Sequence, residues 1–102
     1  MQLIEITLED ENQKEIKKSN INFVDIVLYL IERDKEKSLK LLWSIDPYGL
    51  TIFNHFQIEQ LVSELEILAQ SAPEVKNKID EVVSLANEVT NHIYLKFIGD
   101  IN

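Results

Sequence analysis

The sequence predicts an α+β domain, in which one sheet packs against helices and the elements follow in the order β-α-β-β-α-α-β. Three observations lead to this fold class. Apolar and polar residues alternate near both ends and in the middle of the chain, which is the period of half-buried strands. Three longer segments repeat apolar residues at helical spacing. The chain has 102 residues, 45% of them hydrophobic, which suits a single domain over residues 1–102.

The first quarter of the chain predicts a strand, a loop and a helix. Residues 2–8 alternate between apolar and polar and predict the strand. Residues 9–20 are polar and charged, and they predict a solvated loop. Residues 22–34 fit both the helical and the strand period, but a run of this length is long for a strand and ordinary for a helix. We therefore predict a helix there, with Asn22 as its N-cap.

The middle of the chain predicts a β-hairpin. Residues 38–45 alternate, and Trp43 is expected inside the core of the sheet because its strand face is wholly apolar. Residues 46–49 read Asp-Pro-Tyr-Gly, which is typical of a type I turn. Residues 50–53 then predict the second strand of the hairpin.

Two helices and a strand are predicted in the second half. Asn54 and Gln57 stand at the spacing of a capping box, and the helix they begin extends to residue 70. Residues 71–91 open with Ser-Ala-Pro-Glu, a helix-start sequence, and predict a second amphipathic helix that ends near Asn91. Residues 93–97 alternate and predict the last strand.

The residue inventory excludes several chemistries. The chain has no cysteine, so it has no disulfide and no thiolate metal site, and its two glycines cannot form a phosphate-binding loop. His55 and His92 lack a partner at metal-ligand spacing. We therefore predict no catalytic residue, no metal, no cofactor and no enzyme activity. The remaining enzymatic alternative uses Asp46, His55 or Glu59 for acid–base chemistry.

The charge balance excludes further partner classes. With 18 acidic and 10 basic residues the net charge is −8, whereas nucleic acids and anionic membranes are bound by basic surfaces. No run of apolar residues is long enough to cross a bilayer. The first residues lack the basic and apolar regions of a secretory signal. We expect a cytoplasmic protein that binds neither nucleic acid nor membrane.

The negative charge is concentrated on the predicted turn and the helix after it. Residues 41–75 carry five acidic residues and no lysine or arginine. A helical wheel of residues 54–70 groups acidic and polar side chains on one outer flank, and Ile67 points away from the core. The predicted partner-binding residues are Asp46, Tyr48, Glu59, Ser63, Glu66, Ile67 and Gln70. The alternative is a solvated acidic face with one stray isoleucine.

Two stretches carry a family resemblance. Residues 41–54 read LLWSIDPYGLTIFN and are followed by Gln57 and by Ser-Glu-Leu at 63–65, and residues 94–100 read YLKFIGD. This pattern, over about a third of the chain, resembles small bacterial proteins of immunity-protein type, some of which neutralise secreted toxins. The resemblance implies a binding module and transfers no functional residue.

The sequence thus predicts a small acidic binding protein without catalytic activity. The specific expectation is an immunity protein that neutralises a basic toxin through the acidic turn and helix face. The alternative is a homo-oligomeric structural or regulatory subunit, such as a homodimer. It would associate through the helix at 22–34, because Val24 and Leu28 fall outside the main apolar face of that helix.

Overall fold

The computed structural model describes residues 2–100 and places four strands in one antiparallel sheet. The order across the sheet is β2-β1-β4-β3, so that β2 and β3 form its edges. The central strands β1 and β4 pair over six residues each. The strand bounds are Glu5–Asp10 for β1, Glu15–Lys18 for β2, Leu50–Phe53 for β3 and Ile93–Ile98 for β4.

Four helices pack with one face of this sheet into a common hydrophobic core. Alternate residues of the strands, such as Ile6, Phe97 and Phe53, are buried in this core, whereas Leu50 and Ile52 on the opposite face are exposed. The α+β class predicted from the sequence is therefore confirmed. The helix bounds are Val24–Arg33 for α1, Lys40–Trp43 for α2, His55–Ser71 for α3 and Lys76–Ala86 for α4, with a 3₁₀ turn at Pro73–Val75.

Three phenylalanines stack edge to face at the centre of the core. The Phe23 and Phe97 ring centroids are 4.8 Å apart, and those of Phe53 and Phe97 are 5.7 Å apart. These rings come from the start of α1 and from the two neighbouring strands β3 and β4. Such edge-on pairs add to the burial of apolar area and fix α1 against the sheet.

Several local predictions are confirmed. The helix predicted within 22–34 is present as α1, but its N-cap position is Phe23 and not the predicted Asn22. Asn22 lies one residue earlier, and its carboxamide oxygen accepts from Val24 N at 3.1 Å. Helix α3 begins with the predicted capping box of Asn54 and Gln57. The last strand is also confirmed.

The helix predicted at 71–91 is shorter than expected. It opens with the 3₁₀ turn and ends at Ala86, because the amides of Glu88 and Val89 bond three residues back, to Leu85 and Ala86. This tighter spacing closes the last turn of the helix.

The loop predicted at 9–20 is wrong, because residues 15–18 form the edge strand β2. The Asp10 carboxylate accepts hydrogen bonds from Asn12 N and Lys14 N, both 2.9 Å, and Gln13 takes a positive φ of 65°. This turn folds the chain back along β1. Every residue of β2 is exposed, so the strand has no apolar period that sequence analysis could detect.

The hairpin predicted over 38–53 is also wrong. Residues 40–43 form the one-turn helix α2, and β3 pairs with β4 instead. Trp43 is consequently half-buried at the end of α2 and does not lie in the sheet core. With β2 added and this strand removed, the order of elements is β-β-α-α-β-α-α-β.

A buried carboxylate on α3 holds the start of α2. Glu64 Oε1 accepts from Leu42 N at 3.0 Å, and Glu64 Oε2 accepts from Leu41 N at 3.3 Å and from Gln60 Nε2 at 2.8 Å. The first amides of a helix lack partners within the helix. Glu64 supplies these partners from another element, so the helical form of α2 depends on α3.

A second buried carboxylate, Asp34, holds the turn between α1 and α2. It accepts hydrogen bonds from Ser38 N, Ser38 Oγ, Leu39 N and Trp43 Nε1, at 3.1, 2.7, 2.9 and 2.9 Å. Burial alone would raise the pKa of Asp34, but these four bonds favour the carboxylate and lower its pKa to about 2. Asp34 therefore remains charged and fixes both ends of the segment that leads into α2.

Removing Glu64 should destabilise the fold. Glu64→Ala leaves the buried amide of Leu42 and the partly buried amide of Leu41 without acceptors, so the free energy of unfolding should fall by about 2–4 kcal/mol. Glu59→Ala, on the exposed side of the same helix, should change it by less than about 0.5 kcal/mol. Urea unfolding followed by the fluorescence of Trp43, the only tryptophan, measures both. Equal losses in the two variants would contradict the role of Glu64.

Asp34 should make stability depend on pH in the acid range. Its pKa is lowered from 3.8 to about 2 on folding, so its contribution is present above pH 3.8 and is lost as pH falls towards 2. Asp34→Asn should lower stability at neutral pH and flatten the pH dependence over this window. Urea unfolding at a series of pH values gives the free energy of unfolding of both proteins. If it changes with pH in the same way in both, Asp34 is not the source of the pH dependence.

A candidate partner-binding surface on helix α3

The outer flank of α3 forms one wall of a shallow, open concavity of about 650 Å³. The other wall comes from residues 87 and 89, just beyond the end of α4. Five of the seven residues predicted to bind a partner line this concavity, and all five are exposed: Glu59, Ser63, Glu66, Ile67 and Gln70. The structure therefore brings together the helical part of the predicted surface.

The orientation of α3 follows from what its opposite side buries. Leu61, Leu65 and Leu68 are buried in the core, and Glu64 is turned towards α2. Residues on the remaining side must therefore face solvent. Ile58 and Val62 lie at the boundary, half-buried, and line the concavity together with Val89. The result is an apolar floor beside an acidic helix flank.

Asp46 and Tyr48 are not part of this concavity. They lie in the turn before β3, where Asp46 Oδ1 accepts from Tyr48 N at 2.8 Å. The turn is attached to the end of β4, because Gly99 N donates to Gly49 O at 2.8 Å. A Cβ atom on Gly99 would lie 2.3 Å from the Pro47 oxygen, so this close approach requires glycine. The pairing of β3 with β4 thus separates the turn from the α3 flank.

Phe56 also belongs to the exposed flank, although the sequence analysis did not include it among the predicted partner-binding residues. Phe56 is 82% exposed, and its ring centroid lies 4.0 Å from that of His55. Phe56 stands seven residues before Ser63, which puts both on the same side of the helix. This spacing could have placed Phe56 on the exposed flank, but aromatic residues are usually buried, so it was not assigned there. We define the α3 surface as Phe56, Glu59, Ser63, Glu66, Ile67 and Gln70, with the floor of Ile58, Val62 and Val89.

The α3 surface is acidic and lacks a basic residue. Glu59 and Glu66 line the concavity, and none of its lining residues is lysine or arginine. Lys76 lies in the adjoining groove between α3 and α4, but its ammonium pairs with Asp80 at 2.8 Å. The field at the α3 surface is therefore negative, and an approaching cation meets no competing positive charge within the concavity.

One feature of the structure fits the enzymatic alternative. His55 lines the same concavity as Glu59 and Glu66, so a histidine and two carboxylates share a surface. Within residues 2–100, however, no hydrogen bond joins the His55 ring to a carboxylate, and His55 is exposed. His92 is separate and contacts Glu11 at 3.1 Å. No group of three histidine or acidic residues in the described part of the chain is arranged to hold a metal ion.

Comparison of the chain with family models, with curated proteins and with solved structures finds no match. Between residues 2 and 100, no helix combines the length and the apolar character needed to cross a membrane. An inference about function therefore depends on the chemistry of the α3 surface.

The exposed apolar residues of the α3 surface should be dispensable for folding. Phe56→Ser and Ile67→Ser should each change the free energy of unfolding by less than about 0.5 kcal/mol, because neither side chain is buried in the core. Leu65→Ala, on the buried side of α3, should cost about 2–5 kcal/mol. Urea unfolding measures all three. A loss at Phe56 comparable to that at Leu65 would mean that Phe56 supports the fold.

Proposed function

We propose that this protein is a non-catalytic binding protein whose α3 surface docks onto a basic protein partner. The observation that carries the proposal is the concavity itself, which combines an apolar floor with Glu59 and Glu66 and has no lysine or arginine among its lining residues. Carboxylates at the rim steer a basic partner and set its orientation. Exposed Phe56 and Ile67 supply the apolar contact area that stabilises a bound complex.

A toxin that acts on nucleic acid is the partner class that this surface fits best. Such a toxin needs a basic substrate site, because its substrate is a polyanion. An acidic protein seated over that site would block it, and the net charge of −8 would speed the encounter. The proposed role is therefore that of an immunity protein. A cytoplasmic location suits this role, since the nucleic acid to be protected lies there.

A homo-oligomeric subunit that associates through α1 is the second candidate. Leu28 and Ile31 are both exposed and lie three residues apart on one side of α1. Val24, the other residue on which this candidate depended, is buried within the chain. The uncovered area is therefore smaller than the sequence predicted. Leu28→Lys should weaken self-association if α1 is the interface.

The test of the α3 surface uses charge reversal with a matched control. The variant Glu59→Lys/Glu66→Lys reverses the surface, and Glu36→Lys/Glu81→Lys makes the same change in net charge at exposed positions elsewhere. Each protein is immobilised and used to capture partners from cells that express it. We expect a basic protein that wild type and the control retain and that the α3 variant loses. Equal retention by the two variants would contradict the proposal.

Binding kinetics with the captured partner should distinguish the acidic residues of the α3 surface from its apolar residues. Glu59→Lys/Glu66→Lys should lower mainly the association rate, by about tenfold at low salt, and the difference should shrink as salt screens the charges. Ile67→Asp and Phe56→Ser should instead raise the dissociation rate, because they remove apolar contact. Stopped-flow mixing measures both rates. Wild-type rates in all these variants would place the binding site elsewhere.

A further inference from the structure

The two edges of the sheet differ in their protection against pairing with another strand. Edge strand β2 carries Glu15, Lys17 and Lys18, and a register shift opposite Leu8 and Glu9 interrupts its ladder. Charges and bulges of this kind keep an edge from adding a further strand. Edge strand β3 reads Leu-Thr-Ile-Phe and has no charge, no proline and no bulge. Among the strands formed by residues 2–100, β3 therefore has the unprotected edge.

The ladder between β3 and β4 determines which backbone groups of β3 point outward. Gly99 N donates to Gly49 O, so the pair of residues 49 and 99 is hydrogen-bonded. Because hydrogen-bonded pairs alternate along antiparallel strands, Thr51 and Phe53 direct their amides and carbonyls towards β4. Leu50 and Ile52 direct theirs to the free edge. The same two residues are each 54% exposed.

We propose that two copies of the chain pair through this edge, with β3 of one copy antiparallel to β3 of the other about a two-fold axis at Thr51. In this register Leu50 of each copy opposes Ile52 of the second copy. Both residues present outward amides and carbonyls, so the two pairs form four hydrogen bonds across the axis. The product is a continuous eight-stranded sheet.

The pattern of β3 favours a second copy over another occupant because it is self-complementary in one register. Centring the axis on Thr51 sets the exposed apolar side chains of Leu50 and Ile52 next to each other on one face. Centring it on Ile52 would oppose Leu50 to the polar Asn54. In that second register Leu50 would also lack a backbone partner, because Asn54 N donates to Gln57 Oε1 and Asn54 O accepts from Gln57 N. The first register pairs the outward backbone groups of Leu50 and Ile52 and buries their side chains together.

The residues that flank β3 are compatible with this pairing. An antiparallel arrangement brings the Asp46 end of one strand alongside the Phe56 end of the other, so that the two Asp46 carboxylates lie at opposite ends of the contact. Tyr48 and Phe56, the exposed aromatics on either side of β3, come to the same end. Like charges are therefore not opposed across the contact, although each copy carries a net charge of −8.

Sedimentation equilibrium of the full chain tests the dimer. Wild type should dimerise between micromolar and sub-millimolar concentration, and more tightly at high salt because salt screens the repulsion between two acidic copies. Binding of a basic partner by the α3 surface should respond to salt in the opposite direction. Ile52→Lys places a charge on the edge and should raise the dimer dissociation constant by at least about tenfold. Ile16→Lys, the same change on the β2 edge, should leave it unchanged.

A cysteine at the axis tests the register. The chain has no cysteine, so Thr51→Cys can form only a disulfide between copies. Opposed residues of a non-hydrogen-bonded pair have Cα atoms about 4.5 Å apart, which a disulfide can span. Mild oxidation should therefore cross-link Thr51→Cys but not Ile16→Cys.

Three results would overturn the proposal. The first is a wild-type monomer at every concentration. The second is a dimer that Ile52→Lys does not weaken. The third is a dimer that Leu28→Lys disrupts instead, which would assign the contact to α1. If circular dichroism shows that Thr51→Cys does not fold, the comparison of Ile52→Lys with Ile16→Lys still decides between these outcomes.

Discussion

Two buried carboxylates, Asp34 and Glu64, determine the position of α2 and attach it to α3. Asp34 accepts four hydrogen bonds from the turn and from Trp43, and Glu64 accepts from the first amides of α2. Removing a partner from such a buried group leaves the others unsatisfied, so the arrangement holds as a unit. Glu64 is buried against α2, whereas Glu59 and Glu66 on the opposite flank of α3 are exposed to solvent.

The fold could be predicted where a segment carries its own structural signal. The capping box before α3 and the apolar repeat along it predicted the helix correctly. Residues 38–45 alternate like a strand, and what makes part of them helical is a carboxylate on α3, which no local pattern reveals. Strand β2 was missed because it is exposed at an edge and has no apolar period. Tertiary contacts override local propensity in both cases.

The candidate site could be predicted where it depends on one helix. The wheel correctly grouped Glu59 and Glu66 with the other polar residues of the flank, because helical geometry fixes which side chains share a side. It could not place Tyr48, since the position of that turn depends on β3 pairing with β4, which are far apart in sequence. Phe56 was missed because aromatic residues are usually buried, whereas its place on the helix exposes it.

We propose that Glu64, by facing α2, leaves the opposite flank of α3 to bind a basic partner. Hydrogen exchange of the backbone amides, measured with and without the captured partner, locates the surface that the partner covers. We expect added protection in residues 55–70 and 87–89, with the amides of α1 unchanged. Protection confined to α1 or to residues 9–20, with residues 55–70 exchanging as in the free protein, would contradict it.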